Sequence, residues 1–302
     1  MWFNMKRLWV VSLAVLTEGF NYMGGAQPSV SAPLGLWPGA TSAHGENWVD
    51  FLTVTYNASV FFSYDLAVSG ATLDNDIVGT TSITSVKQQI VSQFIPGYVS
   101  PITVPKPPQW TGNNTLFTIW VGINDIGATY AKGSASTATV NQELISEYTS
   151  LVEQLYAAGA RNFVFITVPT IDRSPGTIAL GATVAEQEKI DVVQWNQLLL
   201  KMAESEKVLH TDTNIWTYDA NALFAKILDD VTSFPQTAGI TNTTGFCAAY
   251  ANGTPTDDYF DPSCGVLVNQ YFWLNSLHPR TPVHDVIAQV LSRELLAGPT
   301  IC

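Results

Sequence analysis

Near the C-terminus, a histidine follows an asparagine at a spacing that suits acid–base chemistry. The segment 275–279 reads Asn-Ser-Leu-His-Pro, so a short turn can bring the Asn275 side chain against the imidazole of His278. An imidazole held in this way can remove a proton from a hydroxyl nucleophile. We therefore predict that His278 is a general base and that Asn275 orients it. The other histidines lack such a neighbourhood or lie in a predicted helix: His44, His210 and His284.

Two further residues could stabilise negative charge on a reacting group. Gly70 and Asn124 each follow a predicted strand, and the carboxyl ends of parallel strands meet at one rim of a sheet. Acyl transfer needs hydrogen-bond donors aimed at a developing oxyanion, which a backbone N–H and a side-chain amide can supply. A glycine or an asparagine at such a position is by itself more often a turn or cap residue. Together with His278, the pair predicts an acyl-transfer site.

The elements that must position these residues alternate between strand and helix. Short apolar runs typical of buried strands occupy 60–68, 116–121 and 162–168. Apolar residues at helical spacing predict helices over 139–158, 184–206, 220–231 and 282–296, the last capped by Thr281, and residues 208–210 suggest the start of another strand. This alternation predicts a single α/β domain with a parallel sheet and helices on both faces.

Composition excludes several classes of function. The 302 residues are 46% hydrophobic and 13% charged, which is typical of a well-packed globular chain, and the net charge of −12 argues against nucleic acid as a partner. No segment approaches the ~20 apolar residues of a helix that crosses a bilayer, so no stable membrane span is expected. Of nine tryptophans, only Trp273, beside the histidine segment, is predicted to contact a substrate. The sequence leaves the oligomeric state open.

Cysteines and glycosylation sequons favour an extracellular location. Cys247 and Cys264 bracket a loop rich in Gly, Asn, Asp and Pro and are predicted to form a disulfide, whereas Cys302 is expected to be free. Four Asn-x-Ser/Thr sequons begin at Asn57, Asn113, Asn242 and Asn252. Beside a disulfide, this number of sequons predicts a secreted glycoprotein.

The chain resembles the SGNH/GDSL hydrolases, and most closely the secreted fungal acetyl esterases of carbohydrate esterase family sixteen. The resemblance runs from about residue 19 to the C-terminus and rests on Gly-Phe-Asn at 19–21, Asn-Trp-Val-Asp-Phe-Leu at 47–52, Trp-Val-Gly-Ile-Asn-Asp-Ile-Gly at 120–127, Val-Pro at 168–169 with Asp-Arg at 172–173, and Ser-Leu-His-Pro at 276–279. It implies a flavodoxin-like three-layer α/β/α fold and a serine esterase that uses no metal or other cofactor. It also implies a substrate such as acetyl groups on plant cell-wall sugars.

Two positions depart from the family pattern. A Gly-Asp-Ser block should carry the nucleophilic serine a few residues before Gly19, but an ungapped count places Ser-Leu-Ala there, at 12–14. Ala14 stands at the nucleophile position and has no hydroxyl, and Ser12 could substitute only if two extra residues were accommodated. Asn275 stands where the broader family has an aspartate, although an amide carbonyl can still orient an imidazole.

The N-terminus allows three interpretations. A basic stretch over 1–7 and an apolar stretch over 8–16 resemble a signal peptide, whose removal would leave the sheet without its first strand. Alternatively, residues 8–11 belong to that strand, and they cannot then act as a signal peptide that directs secretion. We favour a third interpretation, in which 1–16 is a foreign segment joined to a hydrolase domain spanning 17–302, because it accounts for both the poor cleavage site and Ala14. The first strand is therefore expected to be missing or altered.

Taken together, the site residues and the resemblance imply an ester hydrolase that acts on acetyl or short-chain acyl groups of a small molecule or an oligosaccharide through an acyl-serine intermediate. The alternative is a catalytically inactive or truncated relative that binds glycans, since no nucleophile is identified. A lipase acting on long acyl chains would need a wide apolar cleft.

Overall fold

A five-stranded parallel sheet forms the centre of the protein in a computed structural model that describes residues 8–13, 17–18, 28–35, 40–81, 83–99 and 110–302. The strands lie in the order β4-β1-β5-β6-β7. Their bounds are β1 Leu8–Leu13, β4 Phe61–Asp65, β5 Thr115–Ile119, β6 Asn162–Ile166 and β7 Asn214–Tyr218. Two short strands, β2 Thr17–Glu18 and β3 Ala40–Thr41, pair antiparallel with each other.

The first strand is present, in contrast to the expectation that it would be missing or altered. β1 lies between β4 and β5 and is parallel to both, with Val10 opposite Ser63 on one side and Leu116 on the other. A continuous apolar stretch is the sequence pattern typical of a strand that lies between two parallel neighbours. Residues 1–7 and 14–16 lie outside the described residues, so the division of the chain at residue 16 stays a prediction.

Helices connect the strands. Their bounds are α1 Trp48–Val54, α2 Asn75–Val78, α3 Val86–Gln88, α4 Ile123–Thr129, α5 Ser134–Ala157, α6 Pro175–Ala179, α7 Ala182–Leu209, α8 Ala220–Asp229 and α9 Thr281–Ala297, with an 11-residue π-helical stretch at Gln89–Val99. Single 3₁₀ turns lie at Tyr130–Lys132, Ile171–Arg173, Val231–Ser233 and Val268–Gln270. α1 packs against α9 and α5 packs against α7. Right-handed crossovers place helices on opposite faces of a sheet whose strand order reverses, and the predicted α/β class with a parallel sheet is confirmed.

Two of the inner strands, β5 and β6, have buried side chains on both faces. Every residue of β5 and of β6 is buried, as the continuous apolar runs at these positions predict. The suggested strand at 208–210 is wrong, because α7 continues to Leu209 and the His210 N–H still donates to the Glu206 carbonyl at 2.9 Å. The last helix also begins one residue earlier than predicted, with Arg280 rather than Thr281 as its N-cap.

The predicted disulfide is confirmed. Cys247 and Cys264 are bonded, with their Cα atoms 5.5 Å apart, and Cys302 is free and exposed. Under this loop, Tyr250, Val268 and Tyr271 form a small buried core, and the Tyr250 hydroxyl donates to the Val266 carbonyl at 2.9 Å. Within the described part of the chain, no helix combines the length and hydropathy that a membrane span requires.

Candidate active site

Three of the four predicted site residues surround one narrow cleft at the carboxyl edge of the sheet. Gly70, Asn124 and His278 line this cleft, which has a volume of about 30 Å³. Asn275, the fourth, lies behind the cleft and is hydrogen-bonded to His278. The remaining wall is apolar or aromatic and consists of Trp120, Ile123, Pro169, Ile171, Phe224, Leu277 and Pro279.

A tight backbone hairpin presents His278 to the cleft. The Leu274 N–H donates to the His278 carbonyl at 2.8 Å, and the Arg280 N–H donates to the Phe272 carbonyl at 2.9 Å. Gly176 ties the tip of the hairpin to α6, since its N–H donates to the Ser276 carbonyl at 2.8 Å. These bonds hold the imidazole on a rigid support rather than on a free loop.

The Asn275 side chain determines which nitrogen of His278 is available. Asn275 Oδ1 accepts from the backbone N–H of Leu277 at 3.0 Å and of His278 at 2.9 Å. These two donors establish which end of the amide is the oxygen. The same oxygen lies 3.1 Å from His278 Nδ1. Because an amide oxygen can only accept, Nδ1 carries the proton, and the lone pair of Nε2 is left to act as a base.

Burial favours the neutral form of His278. Desolvation lowers the pKa of His278 below its usual value, and the nearby His44 lowers it further. His284, in α9, is fully buried, and burial lowers its pKa to about 3. The cleft therefore holds an unprotonated imidazole at neutral pH, as a general base requires.

Gly70 occupies a backbone conformation that favours glycine. Its φ is +80°, in the left-handed region, and a Cβ there would lie 2.7 Å from Ile83 Cδ1. Among the described residues, no backbone carbonyl accepts from the Gly70 N–H. That N–H is therefore available to a ligand in the cleft.

Two hydrogen bonds fasten the loop that contains Gly70 to the start of α4. Asn124 donates through Nδ2 to the Ala71 carbonyl at 2.9 Å, and Asp125 Oδ1 accepts from the Leu73 N–H at 2.9 Å. One amide hydrogen of Asn124 remains for the cleft. Asp125 is completely buried, and desolvation raises its pKa to about 7. Its function as a brace was missed, because an aspartate in a Gly-x-Asn-Asp string does not reveal a bond to a residue far away in the chain.

Gly122 of the same string has a steric role. Its φ is +120°, and a Cβ would lie 2.4 Å from the Trp195 ring and 2.7 Å from Val168 Cγ2. Only a residue without a side chain lets α7 approach the start of α4 this closely. The glycine thus places Asn124 indirectly, through packing.

The tryptophan prediction is wrong. Trp273 is only 1% exposed and uses its indole N–H to donate to the Thr243 carbonyl at 2.9 Å, so it packs the hairpin and faces no substrate. Trp120, which directly follows β5, lines the cleft instead, with its N–H bonded to the Thr167 carbonyl at 3.1 Å. Adjacency to the histidine segment was misleading, because the indole packs against a segment 30 residues earlier in the chain, at Thr243, rather than beside His278.

The nucleophile is the one component of an acyl-transfer site that the residues above do not supply. Ala14 and the Gly-Phe-Asn string at 19–21 lie outside the described residues. Ser12 lies within β1, opposite Asp65 of β4 and Thr118 of β5. The described backbone thus brings the carboxyl end of β1 beside those of β4 and β5, which lead to Gly70 and Asn124.

A parallel α/β sheet with a histidine hairpin and two donors at its carboxyl edge is an arrangement suited to acyl transfer, and comparison with known proteins gives the family. The model of the GDSL-like lipase/acylhydrolase family matches residues 16–286. The chain therefore belongs to this family. The match begins after Ala14.

Individual proteins are also similar to this chain. An acetylesterase from Thermothelomyces thermophilus is 31% identical over 280 residues, which cover 91% of this chain and 83% of that protein. An acetylesterase from Hypocrea jecorina is 22% identical over 306 residues, covering 90% and 82%. The fold is similar to that of an acetyl-xylooligosaccharide esterase from Geobacillus stearothermophilus, with a TM-score of 0.50, 14% identity and coverage of 98% of this chain and 96% of that one.

Proposed function

We propose that this protein is a hydrolase of acetyl or short-chain acyl esters on carbohydrate, acting through an acyl-serine intermediate. The observation that carries the proposal is the convergence of Gly70, Asn124 and His278 on one cleft, with Asn275 holding the base. Two acetylesterases among the relatives support the acyl group, and the similar fold of an esterase of acetylated xylooligosaccharides supports the sugar.

The residues suggest the following steps. His278 Nε2 takes the proton of a serine hydroxyl, which attacks the ester carbonyl and forms a tetrahedral oxyanion. The Gly70 N–H and the free hydrogen of the Asn124 amide donate to this oxygen. The tetrahedral intermediate then collapses, the bond to the sugar oxygen breaks, and His278 gives its proton to that oxygen. Water, deprotonated by the same imidazole, afterwards attacks the acyl-enzyme. The bond to the serine oxygen breaks, the acid is released, and the proton returns to the serine oxygen.

The hydroxyl that this mechanism needs belongs at position 14, where the chain has alanine. We therefore expect Ala14→Ser to complete the site. The test is hydrolysis of a chromogenic acetate ester by the unsubstituted chain and by Ala14→Ser, each with and without His278→Ala. Hydrolysis by either form that disappears with His278→Ala supports the proposal, and hydrolysis by the unsubstituted chain would point to Ser12. No hydrolysis by either folded form would overturn the proposal, and binding of acetylated xylooligosaccharides without hydrolysis would favour the inactive glycan-binding alternative.

We also propose that the protein is secreted and glycosylated. The disulfide supports this location, as do the sequons, of which Asn113 and Asn252 are exposed. After expression in a fungal host with a secretion leader, endoglycosidase treatment should increase the electrophoretic mobility of the protein, because it removes the attached glycans. Mobility that does not change would count against use of the sequons.

A further inference from the structure

A second histidine site lies at the opposite edge of the sheet from the cleft. His210 follows α7 and precedes the start of β7 at Asn214, and Glu153 lies near the end of α5, which leads into β6. Both therefore lie near the amino ends of strands, whereas the cleft lies beyond their carboxyl ends. His210 was expected to lack any catalytic neighbourhood, and its surroundings come from a helix distant in sequence.

Three ligating side chains meet at this edge. His210 Nε2 lies 2.6 Å from Glu153 Oε1 and 4.0 Å from Glu206 Oε2. One nitrogen or oxygen atom from each residue lies within 4.8 Å of those of the other two. Glu206 and His210 are four residues apart at the end of α7, so they share one face of it.

Glu206 is the unusual member of the group. Its side chain is only 2% exposed, yet neither carboxyl oxygen has a hydrogen-bond partner. A buried carboxylate without a partner carries an uncompensated desolvation cost. The group that it faces is the His210 imidazole, 4.0 Å away, which is too far for a hydrogen bond but close enough for both to ligate one ion.

We propose that Glu153, Glu206 and His210 form a binding site for a divalent transition-metal cation, best suited to Zn²⁺. One imidazole and two carboxylates are a donor set that zinc accepts with tetrahedral geometry. Ligand bonds of about 2.1 Å place tetrahedral donors ~3.4 Å apart, and the observed 2.6 and 4.0 Å lie on either side of that value. Sub-ångström side-chain shifts would make room for the ion. Glu153, at 41% exposure, leaves a path for its entry and for a water as fourth ligand.

The surroundings favour a cation. The carboxyl end of α7 contributes partial negative charge. The two nearby basic groups have acceptors of their own: Lys207 Nζ donates to the Thr213 carbonyl at 2.7 Å, and Arg161 Nε pairs with Asp212 at 2.7 Å. The Tyr156 ring stacks on His210 with 3.6 Å between ring centroids, which holds the imidazole plane in place.

Zinc titration of the purified full chain, after chelator treatment and followed by calorimetry, tests the site. We expect one equivalent of Zn²⁺ to bind. Glu206→Gln keeps the side-chain shape but removes the buried carboxylate, and it should weaken binding by about 100-fold or more, because even partners outside the first ligand shell are worth 10–100-fold. Glu204→Gln, on an exposed position of the same helix, is the matched control and should bind as the parent does. His278→Ala should also bind normally, since the cleft is a separate place.

Thermal unfolding gives a second measurement that does not depend on hydrolysis. A free Zn²⁺ concentration 100 times the Kd should raise Tm by roughly 5 °C in the parent chain and in Glu204→Gln. Glu206→Gln should show almost no rise at the same concentration. The proposal is wrong if the parent binds no Zn²⁺, if Glu206→Gln binds as tightly as the parent, or if His278→Ala abolishes binding.

Discussion

The two edges of the sheet use histidine in opposite ways. At the carboxyl edge, His278 is paired with a neutral amide, and burial keeps its imidazole unprotonated. At the amino edge, His210 contacts one carboxylate directly and faces a second that is buried. Burial raises the pKa of Glu206 to about 7, Glu153 adds to this shift, and His210 opposes it. The partner therefore separates the two sites: a neutral acceptor leaves a basic nitrogen for a reaction, whereas two carboxyl groups beside the ring supply the oxygen ligands that suit a cation.

Removing each histidine in turn is the sharpest way to break this comparison. In whichever form hydrolyses the ester, the unsubstituted chain or Ala14→Ser, His278→Ala should lower kcat by about 10²–10⁴, the usual value of general-base catalysis. His210→Ala should leave kcat within about twofold, because it lies at the other edge. Steady-state hydrolysis of the acetate ester measures both. Equal losses in the two variants would contradict the separation of the sites.

The amide donor comes next. Asn124→Ala should lower kcat by roughly 10²–10³ while changing KM little, because its free hydrogen acts on the oxyanion that exists only in the transition state. The variant also loses the bond to the Ala71 carbonyl, so circular dichroism and Tm must show that the Gly70 loop is retained. A loss confined to KM would assign Asn124 to substrate binding instead.

The difference between the edges also shows how far a sequence can be read. The carboxyl-edge site could be predicted because its parts are local: Asn275 and His278 share one turn, and Gly70 and Asn124 each follow an apolar run. The amino-edge cluster and the Asp125 brace could not, since each joins residues about 50 positions apart. The same limitation explains Trp120, because its indole in the cleft wall donates to the Thr167 carbonyl, 47 positions away in the sequence.

A carboxylate introduced beside His278 should make the two edges more alike. Asn275→Asp places a negative charge about 3.1 Å from Nδ1, which should raise the pKa of His278 by roughly one unit or more. Since the neutral imidazole is the base, hydrolysis by the parent should persist below pH 6.5. In the variant, the acid limb of the pH–rate profile should move to higher pH by as much as the pKa of His278 rises. kcat on the alkaline plateau should rise, because aspartate stabilises the imidazolium formed during attack.

The pH–rate profile of kcat decides this prediction, with Asn275→Ala as the control. The alanine variant loses the acceptor for Nδ1 without gaining charge, so it should lose rate with no upward shift of the acid limb. An Asn275→Asp profile identical to that of the parent would mean that His278 is not the titrating base.

Buried carboxyls offer the smallest and most general test. Asp125, which braces the loop that contains Gly70, has its pKa raised from 3.8 to about 7 by burial. A carboxyl whose pKa is higher in the folded than in the unfolded state stabilises the fold fully below about pH 4, and this stability is lost as the pH rises through about 7. Asp125→Asn keeps an acceptor for the Leu73 N–H but cannot ionise. The difference in unfolding free energy between Asp125→Asn and the parent should therefore be about 1–3 kcal/mol more favourable to the variant at pH 8 than at pH 4.

Urea unfolding of both chains at pH 4 and pH 8 measures this recovery. Glu204→Gln, which removes an exposed carboxyl, should change stability equally at the two pH values. Parallel pH dependence of Asp125→Asn and the parent would show that Asp125 stays ionised in the folded protein. The Asp125 brace would then depend on a charged acceptor, and Asp125→Asn should weaken the Gly70 loop at every pH rather than strengthen the protein above neutrality.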